Sequence, residues 1–133
     1  MAEKILGVQV QGATIAEVQG NIQKAADLGI QGVWMTAGGA NLDSMTCFAA
    51  SAASTTNLKM GTSIVPTYPR HPLVMAAQAQ VVAQLAPGRF RLGVGPSHRP
   101  TIEGMGSDFN APLGHLREYI QILKNLLQNG SVD

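Results

Sequence analysis

The chain has 133 residues, the length of one ordinary domain, and it can bury a core of its own. Only 13% of the residues are charged and the formal net charge is +1, with no cluster of Lys and Arg, which argues against nucleic acid as a partner. No apolar run approaches the roughly 18 residues of a membrane-spanning helix, and the N-terminus lacks the organisation of a signal peptide. We therefore expect a cytoplasmic protein without a membrane partner. The single cysteine excludes an intrachain disulfide, and no metal site is expected.

Four short runs of β-type residues recur along the chain, at residues 5–10, 32–36, 60–65 and 90–94. Their centres are about 28 residues apart, which is the size of one strand-plus-helix unit. The runs are continuously apolar rather than alternating. This pattern is typical of parallel strands that are covered by helices.

The segments between these runs carry helical patterns. The first opens with a capping box of Thr14 and Glu17 and stops at Gly29. The third begins at Pro72, a residue suited to the first helical position, and ends at Pro87-Gly88. The second and fourth are marked by apolar residues at helical spacing, namely Leu42, Met45, Phe48, Ala49 and Ala52, and then Leu116, Ile120, Leu123 and Leu127 before Asn129-Gly130.

The resulting pattern is (βα)4 in the α/β class. A (βα)8 barrel has about 250 residues, and four units in this chain extrapolate to about that size. We therefore interpret residues 1–133 as one half of a parallel TIM barrel, with no second domain. An open doubly wound sheet is the alternative. Strands adjacent in the order 1-2-3-4 would favour the barrel.

Two stretches carry a resemblance to a known family. They are G-T-S-I-V-P-T-Y-P-R-H-P-L-V-M-A at residues 61–76 and A-P-G-R-F-R-L-G-V-G-P-S-H-R-P at residues 86–100. Both resemble the bacterial luciferase-like superfamily, specifically its members that use the deazaflavin coenzyme F420. The resemblance extends over the whole chain, with L-R-E-Y-I-Q-I-L-K-N-L-L matching the family's fourth helix, and it covers the N-terminal half of that family.

The resemblance implies a role for the third strand. In this family the strand ends in a bulge with a non-prolyl cis peptide that packs against the face of the deazaflavin ring, and Ser63-Ile64 is the matching dipeptide. Pro66, Pro69 and Pro72 would restrict the loop that follows. The alternative is an ordinary buried strand followed by turn prolines.

A second candidate site is the sequence G-V-G-P-S-H at residues 93–98. Glycines at the carboxyl end of a strand let the backbone approach a ligand, and barrel active sites form at that end. By resemblance, Gly95, Pro96 and Ser97 contact the cofactor, and His98 aligns with an acid that donates a proton to substrate in some relatives. A histidine, with a pKa of about 6.5, suits that role. The alternative is a loop histidine that faces solvent.

The sequence also departs from the family. Many relatives carry Asp-His after the second strand, whereas Ala37-Gly38 stands here, so Thr36 or Asn41 is left to line the pocket without proton chemistry. Four other candidates have structural interpretations: Trp34 as core packing, Arg70 and His71 as a solvated helix start, and His115 as surface.

Three functions follow from the resemblance. The first is an F420-dependent oxidoreductase that passes hydride to a small-molecule substrate. The second is an FMN-dependent monooxygenase of the same superfamily. The third is an inactive half-barrel that self-associates. The expected partner of the half-barrel is a second copy, as a homodimer, or a missing C-terminal half.

Overall fold

The computed structural model describes residues 4–130 as a sheet covered on one face by helices. In chain order the elements are β1 (Gly7–Gln9), α1 (Ile15–Asp27), β2 (Gly32–Met35), α2 (Ser44–Ser51) with a 3-10 turn (Ala52–Ser54), β3 (Lys59–Thr62), β4 (Val65–Pro66), α3 (Pro72–Leu85), β5 (Phe90–Arg91), β6 (Val94–Gly95), α4 (Arg99–Gly104) and α5 (Pro112–Asn129).

The four-stranded sheet has the order β1-β2-β3-β5, and every neighbouring pair is parallel. Strands β4 and β6 form a separate parallel pair beyond the carboxyl ends of β3 and β5. The strands therefore follow one another in sequence order, as the barrel interpretation predicts. The fold is a (βα)4 half of a (β/α)8 TIM barrel, and the doubly wound alternative is wrong.

The third and fourth predicted strands are each split in two, which is a correction to the ranges 60–65 and 90–94. The Thr62 side chain occupies the point of the split. Its hydroxyl accepts a hydrogen bond from the Gly93 N–H at 2.8 Å and donates one to the Gly93 carbonyl at 2.8 Å. A side chain thus replaces one step of the ladder between the two strands.

The hydrophobic core lies between the sheet and α1, α2 and α3. Strand register places Val33, Met60 and Phe90 on the face toward the helices. Phe48 of α2 and Ile22 of α1 are fully buried against that face. Burying such large apolar side chains supplies about 1.5–3 kcal/mol each, which makes this layer the main source of stability.

The predicted helices are present, with small differences at their starts. Thr14 caps α1 by accepting from the Glu17 N–H, but the Glu17 carboxylate accepts from Ala13, one residue earlier than a capping box requires. Helix α2 begins after Leu42, because the carboxylate of Asp43 accepts from the Thr46 N–H and sets the helix start there.

Helix α4 was not predicted. Its six residues are too few to show a helical period, so the sequence pattern gave no signal for it. Ile102 is fully buried and an Arg99–Glu103 ion pair of 2.9 Å spans one turn on the surface.

The opposite face of the sheet corresponds to the barrel interior. Register aligns Gln9, Trp34, Gly61 and Arg91 in one row on this inner face. The expectation that Trp34 belongs to the core is wrong, since its strand position turns it away from the helices and leaves it 36% exposed. Within residues 4–130, none of the helices has the length and apolar character needed to cross a membrane.

Candidate functional site

The Ser63-Ile64 peptide bond is cis, as the resemblance predicted. It lies between β3 and β4, at the carboxyl edge of the sheet. The Ser63 N–H donates to the Met35 carbonyl at 2.9 Å, and the Ile64 carbonyl accepts from the Ala37 N–H at 3.1 Å. These two bonds join the dipeptide to the end of β2, so the bulge is part of the sheet edge.

Gly95 lies directly beside this dipeptide. A side-chain carbon built at Gly95 would lie 3.2 Å from Cδ1 of Ile64, which is tighter than most such contacts. At Gly93 the same carbon would lie 2.1 Å from the Thr62 carbonyl oxygen, a distance that excludes any side chain. The glycines of the predicted second site therefore permit close approach between strands at this edge.

Thr36 lies at the end of β2, next to the bulge. Its hydroxyl accepts from Nε2 of Gln9 at 2.7 Å, and its side chain is exposed. Thr36 and Asn41 both line a cleft of about 370 Å³ at the carboxyl ends of β1 and β2. A second cleft of about 260 Å³ lies between the glycine loop after β2 and the proline loop after β4, and it reaches Arg70.

The remaining predicted residues lie in the loop after β6. Pro96 and Ser97 are half-buried, and Ser97 has a φ of 63°, in the left-handed region. His98 precedes α4, is exposed, and its side chain makes no capping hydrogen bond. Thr36, Ser63, Ile64 and Gly95 are connected at the sheet edge, whereas in the described part of the chain no hydrogen bond ties the His98 imidazole to them.

Sequence reasoning missed a second cluster of side chains beside this edge. Nε2 of His115 lies 2.8 Å from the Thr67 hydroxyl, and its ring stacks on Tyr68 with centroids 3.8 Å apart and an interplanar angle of 9°. Burial lowers the pKa of His115 below its ordinary value, although the nearby Glu118 acts in the opposite direction. His115 was predicted to be surface. That interpretation is wrong, because partners 47 and 48 positions away leave no local signal.

Arg70 was predicted to be solvated and is also paired. Its guanidinium contacts the Asp43 carboxylate at 2.8 Å and Oε1 of Gln78 at 2.9 Å. The Tyr119 hydroxyl donates to the Arg70 carbonyl at 2.7 Å, and burial raises the pKa of Tyr119 to about 12, with Arg70 acting in the opposite direction. His71 accepts from the Leu73 N–H at Nδ1 and so caps α3.

The fold and the geometry of the sheet edge define a class of protein. It is a half-barrel with a cis-peptide bulge at the carboxyl edge of its sheet. The family model described as luciferase-like monooxygenase matches residues 4–133, and the chain belongs to that family. The chain spans about a third of the length of the curated relatives it matches.

One curated relative and two solved structures illustrate this likeness. The chain is 31% identical over 106 residues to the F420-dependent glucose-6-phosphate dehydrogenase of Nocardia farcinica, covering 75% of this chain and 32% of the relative. It superposes on the coenzyme F420-dependent tetrahydromethanopterin reductase from Methanopyrus kandleri with a TM-score of 0.83 and 24% identity, over 96% of this chain and 41% of that one. For the oxygenating constituent of 3,6-diketocamphane monooxygenase from Pseudomonas putida, in complex with FMN, the TM-score is 0.81 at 17% identity, over 93% and 39%. The two structural likenesses establish the fold alone.

Proposed function

We propose that this chain belongs to an F420-dependent oxidoreductase and contributes the part of the site that faces the deazaflavin ring. The observation that carries the proposal is the meeting of Ser63, Ile64 and Gly95 at the carboxyl edge of the sheet, where the first two are hydrogen-bonded to the end of β2 and Gly95 lies beside Ile64. The 31% identity to an F420-dependent dehydrogenase supports the choice of cofactor. The substrate is proposed only as a small organic molecule that accepts or gives a hydride.

The residues present fit a planar ring. Ser63 is exposed and Ile64 is half-buried, so both offer surface to a ligand. The neighbouring Thr36 has a short side chain, and the glycine at 95 lets Ile64 sit close to the strand behind it. A flat ligand therefore meets small side chains and backbone at this edge, with the two clefts on either side of the loop after β2.

Bound F420 would supply hydride transfer, and the protein would supply orientation and a proton. Ser63 and Ile64 would support one face of the ring, while Thr36, Gly95, Pro96 and Ser97 would border it. His98 is the proposed proton donor, because its imidazole is exposed at the end of this loop. A solvent-facing role for His98 remains the alternative.

A flavin monooxygenase is the second candidate function. The fold likeness to an FMN-containing monooxygenase favours it, and FMN has a planar ring of the same shape as the deazaflavin. The same bulge therefore suits either cofactor. Oxygen consumption would accompany turnover in the monooxygenase and not in the F420-dependent enzyme.

The cofactor proposal is tested by titrating F420 and FMN separately into the purified chain and following cofactor fluorescence. We expect saturable binding of F420, weakened about tenfold or more by Gly95→Ala, since the new side chain would press on Ile64. Gly20→Ala is the matched control, because nothing lies within 4 Å of a side-chain carbon at that helix position. Tighter binding of FMN would favour the monooxygenase. Binding of neither cofactor would contradict both functions and leave the inactive half-barrel.

The role of His98 is tested separately by turnover. With reduced F420 and a panel of aldehydes and ketones as hydride acceptors, we expect His98→Ala to lower the turnover rate about 100-fold while leaving F420 affinity within twofold. If turnover is unchanged in His98→Ala, the imidazole faces solvent and is not the donor.

A further inference from the structure

We propose that His115 is a positioning residue for the ring-facing edge of the site: through the Thr67 hydroxyl it fixes the Gly95 carbonyl and, with it, the side chain of Ile64. The consequence for cofactor binding rests on the proposed function. The chain of contacts itself does not, and it can be tested without any cofactor.

The donor assignment starts from the bond that the Thr67 hydroxyl donates to Gly95 and takes His115 as its Nε2–H tautomer. The Thr67 hydroxyl lies 3.3 Å from the Gly95 carbonyl, to which it donates, and the Thr67 N–H donates to the same oxygen at 2.9 Å. A hydroxyl has one proton, so its oxygen accepts the remaining bond, which comes from His115 Nε2 at 2.8 Å. The Nε2–H of His115 therefore polarises and orients the hydroxyl that holds Gly95.

Gly95 transmits this position to the bulge. The closest heavy atoms to a side-chain carbon at Gly95 are Cδ1, Cγ1 and Cβ of Ile64, at 3.2, 3.3 and 3.7 Å. Any displacement of the Gly95 backbone therefore changes the position of the Ile64 side chain, and Ile64 is part of the cis peptide. His115 on helix α5 thus affects the position of the bulge through two intermediate residues, Thr67 and Gly95.

The imidazole of His115 is itself held in place. Tyr68 stacks on one face of the ring, and the hydroxyl of Tyr68 donates to the Asn110 carbonyl at 2.6 Å. Tyr119, one turn later on α5, lies 5.8 Å away from the imidazole centroid. Burial lowers the pKa of His115, which keeps the ring neutral near pH 7 with its single proton available for Thr67.

The test uses two substitutions of His115 and one control on the same helix. His115→Phe keeps an aromatic ring against Tyr68 and removes the donor, whereas His115→Gln keeps an N–H donor of similar reach. Tyr119→Phe is the control, because it removes the hydrogen bond to the Arg70 carbonyl and leaves Thr67 untouched.

Amide hydrogen exchange at Thr67, measured by NMR, reports the hydrogen bond to Gly95 directly. We expect His115→Phe to speed exchange at Thr67 about tenfold and to weaken F420 binding by a similar factor, with substantial recovery of both in His115→Gln. In Tyr119→Phe both quantities should stay within twofold of wild type. If His115 had a merely structural role, His115→Phe and Tyr119→Phe would change exchange at Thr67 and F420 affinity by similar factors.

Each outcome has a distinct meaning. Wild-type exchange at Thr67 in His115→Phe overturns the chain of contacts, whatever the cofactor does. Faster exchange with unchanged F420 affinity overturns the positioning role. If the wild-type chain binds neither F420 nor FMN, the proposed function fails and the role in cofactor binding fails with it, while the exchange result still decides the contacts. Should His115→Phe not fold, Thr67→Val takes its place, because it removes the hydroxyl that His115 contacts and keeps the N–H at residue 67; wild-type exchange at that N–H would then overturn the chain of contacts.

Discussion

Asp43 connects two loops of the candidate site through a single carboxylate. One oxygen accepts from the N–H and hydroxyl of Thr46 at the start of α2, and the other contacts the Arg70 guanidinium in the loop after β4. Burial alone would raise the pKa of Asp43, but the hydrogen bonds from Thr46 and Arg70 outweigh it and hold the pKa below the ordinary value of 3.8. The ionised form is therefore the one that stabilises the fold.

Asp43→Asn should lower the free energy of unfolding at neutral pH. It should also weaken the decrease of that free energy as the pH falls. A carboxyl with a lowered folded-state pKa contributes stability above its unfolded pKa of about 3.9, and that contribution is lost as the pH falls through the folded value. We expect a loss of about 1 kcal/mol in the free energy of unfolding at pH 7, since Asn still caps α2. Urea denaturation at pH 7 and at pH 3 measures the difference in the free energy of unfolding between variant and wild type. An equal difference between variant and wild type at both pH values would contradict it.

At the scale of single residues, local patterns could be predicted from the sequence and long-range pairs could not. Thr14 as a cap of α1 follows from its position three residues before Glu17. The cis bond at Ser63 came from family resemblance, since no physical pattern in the sequence indicates it. His115 was misjudged because a histidine on a helix looks the same whether its partner is water or a hydroxyl 48 positions earlier.

At the scale of elements, the inner face of the sheet is organised around Trp34. A side-chain carbon at Gly61 would lie 2.3 Å from Cζ3 of the indole, and one at Gly7 would lie 2.8 Å from its Nε1. The ring therefore spreads across the neighbouring strands β1 and β3 and occupies the volume that their glycines leave free. The Trp34 side chain thus fills the space that side chains at positions 7 and 61 would otherwise share with it.

Gly61→Ala should force the indole off the sheet and destabilise the fold by about 1–3 kcal/mol. In a Trp34→Ala background the same substitution should cost at least about 1 kcal/mol less, because the clash is gone. Chemical denaturation of the four proteins, followed by circular dichroism, gives this coupling energy. Gly20→Ala on α1, where space is open, serves as the control and should not destabilise. Additive effects of Gly61→Ala and Trp34→Ala would refute the packing described.

The order and direction of the strands could be predicted, because the βα period is visible in the apolar runs. The division of the third and fourth strands could not be. It depends on how the Thr62 hydroxyl bonds to Gly93, 31 residues later, and a threonine in a strand gives no sign of such a bond. The inward direction of Trp34 depends on register, which also requires the paired strand.

At the scale of the whole molecule, the described chain leaves much of its sheet uncovered. Strands β1 and β5 form the two edges of the four-stranded sheet, and the inner face exposes Trp34. The inner face also carries Lys59 and Arg91, and within residues 4–130 neither forms an ion pair. Unpaired strand edges and exposed apolar surface favour association.

We propose that the isolated chain self-associates as a two-fold dimer. Face-to-face packing would bring Lys59 and Arg91 of two copies together, so added salt should strengthen that arrangement by screening their repulsion, whereas pairing of edge strands should depend little on salt. Trp34 is the chain's single tryptophan, and its fluorescence therefore reports burial of the inner face.

We expect light scattering at micromolar concentration to give twice the mass of 13.9 kDa, and indole emission to shift to shorter wavelength as concentration and salt rise. Arg91→Glu should strengthen the face-to-face dimer at low salt by placing opposite charges across it. A stable monomer whose Trp34 emission is independent of concentration would show that this half-barrel is an autonomous domain.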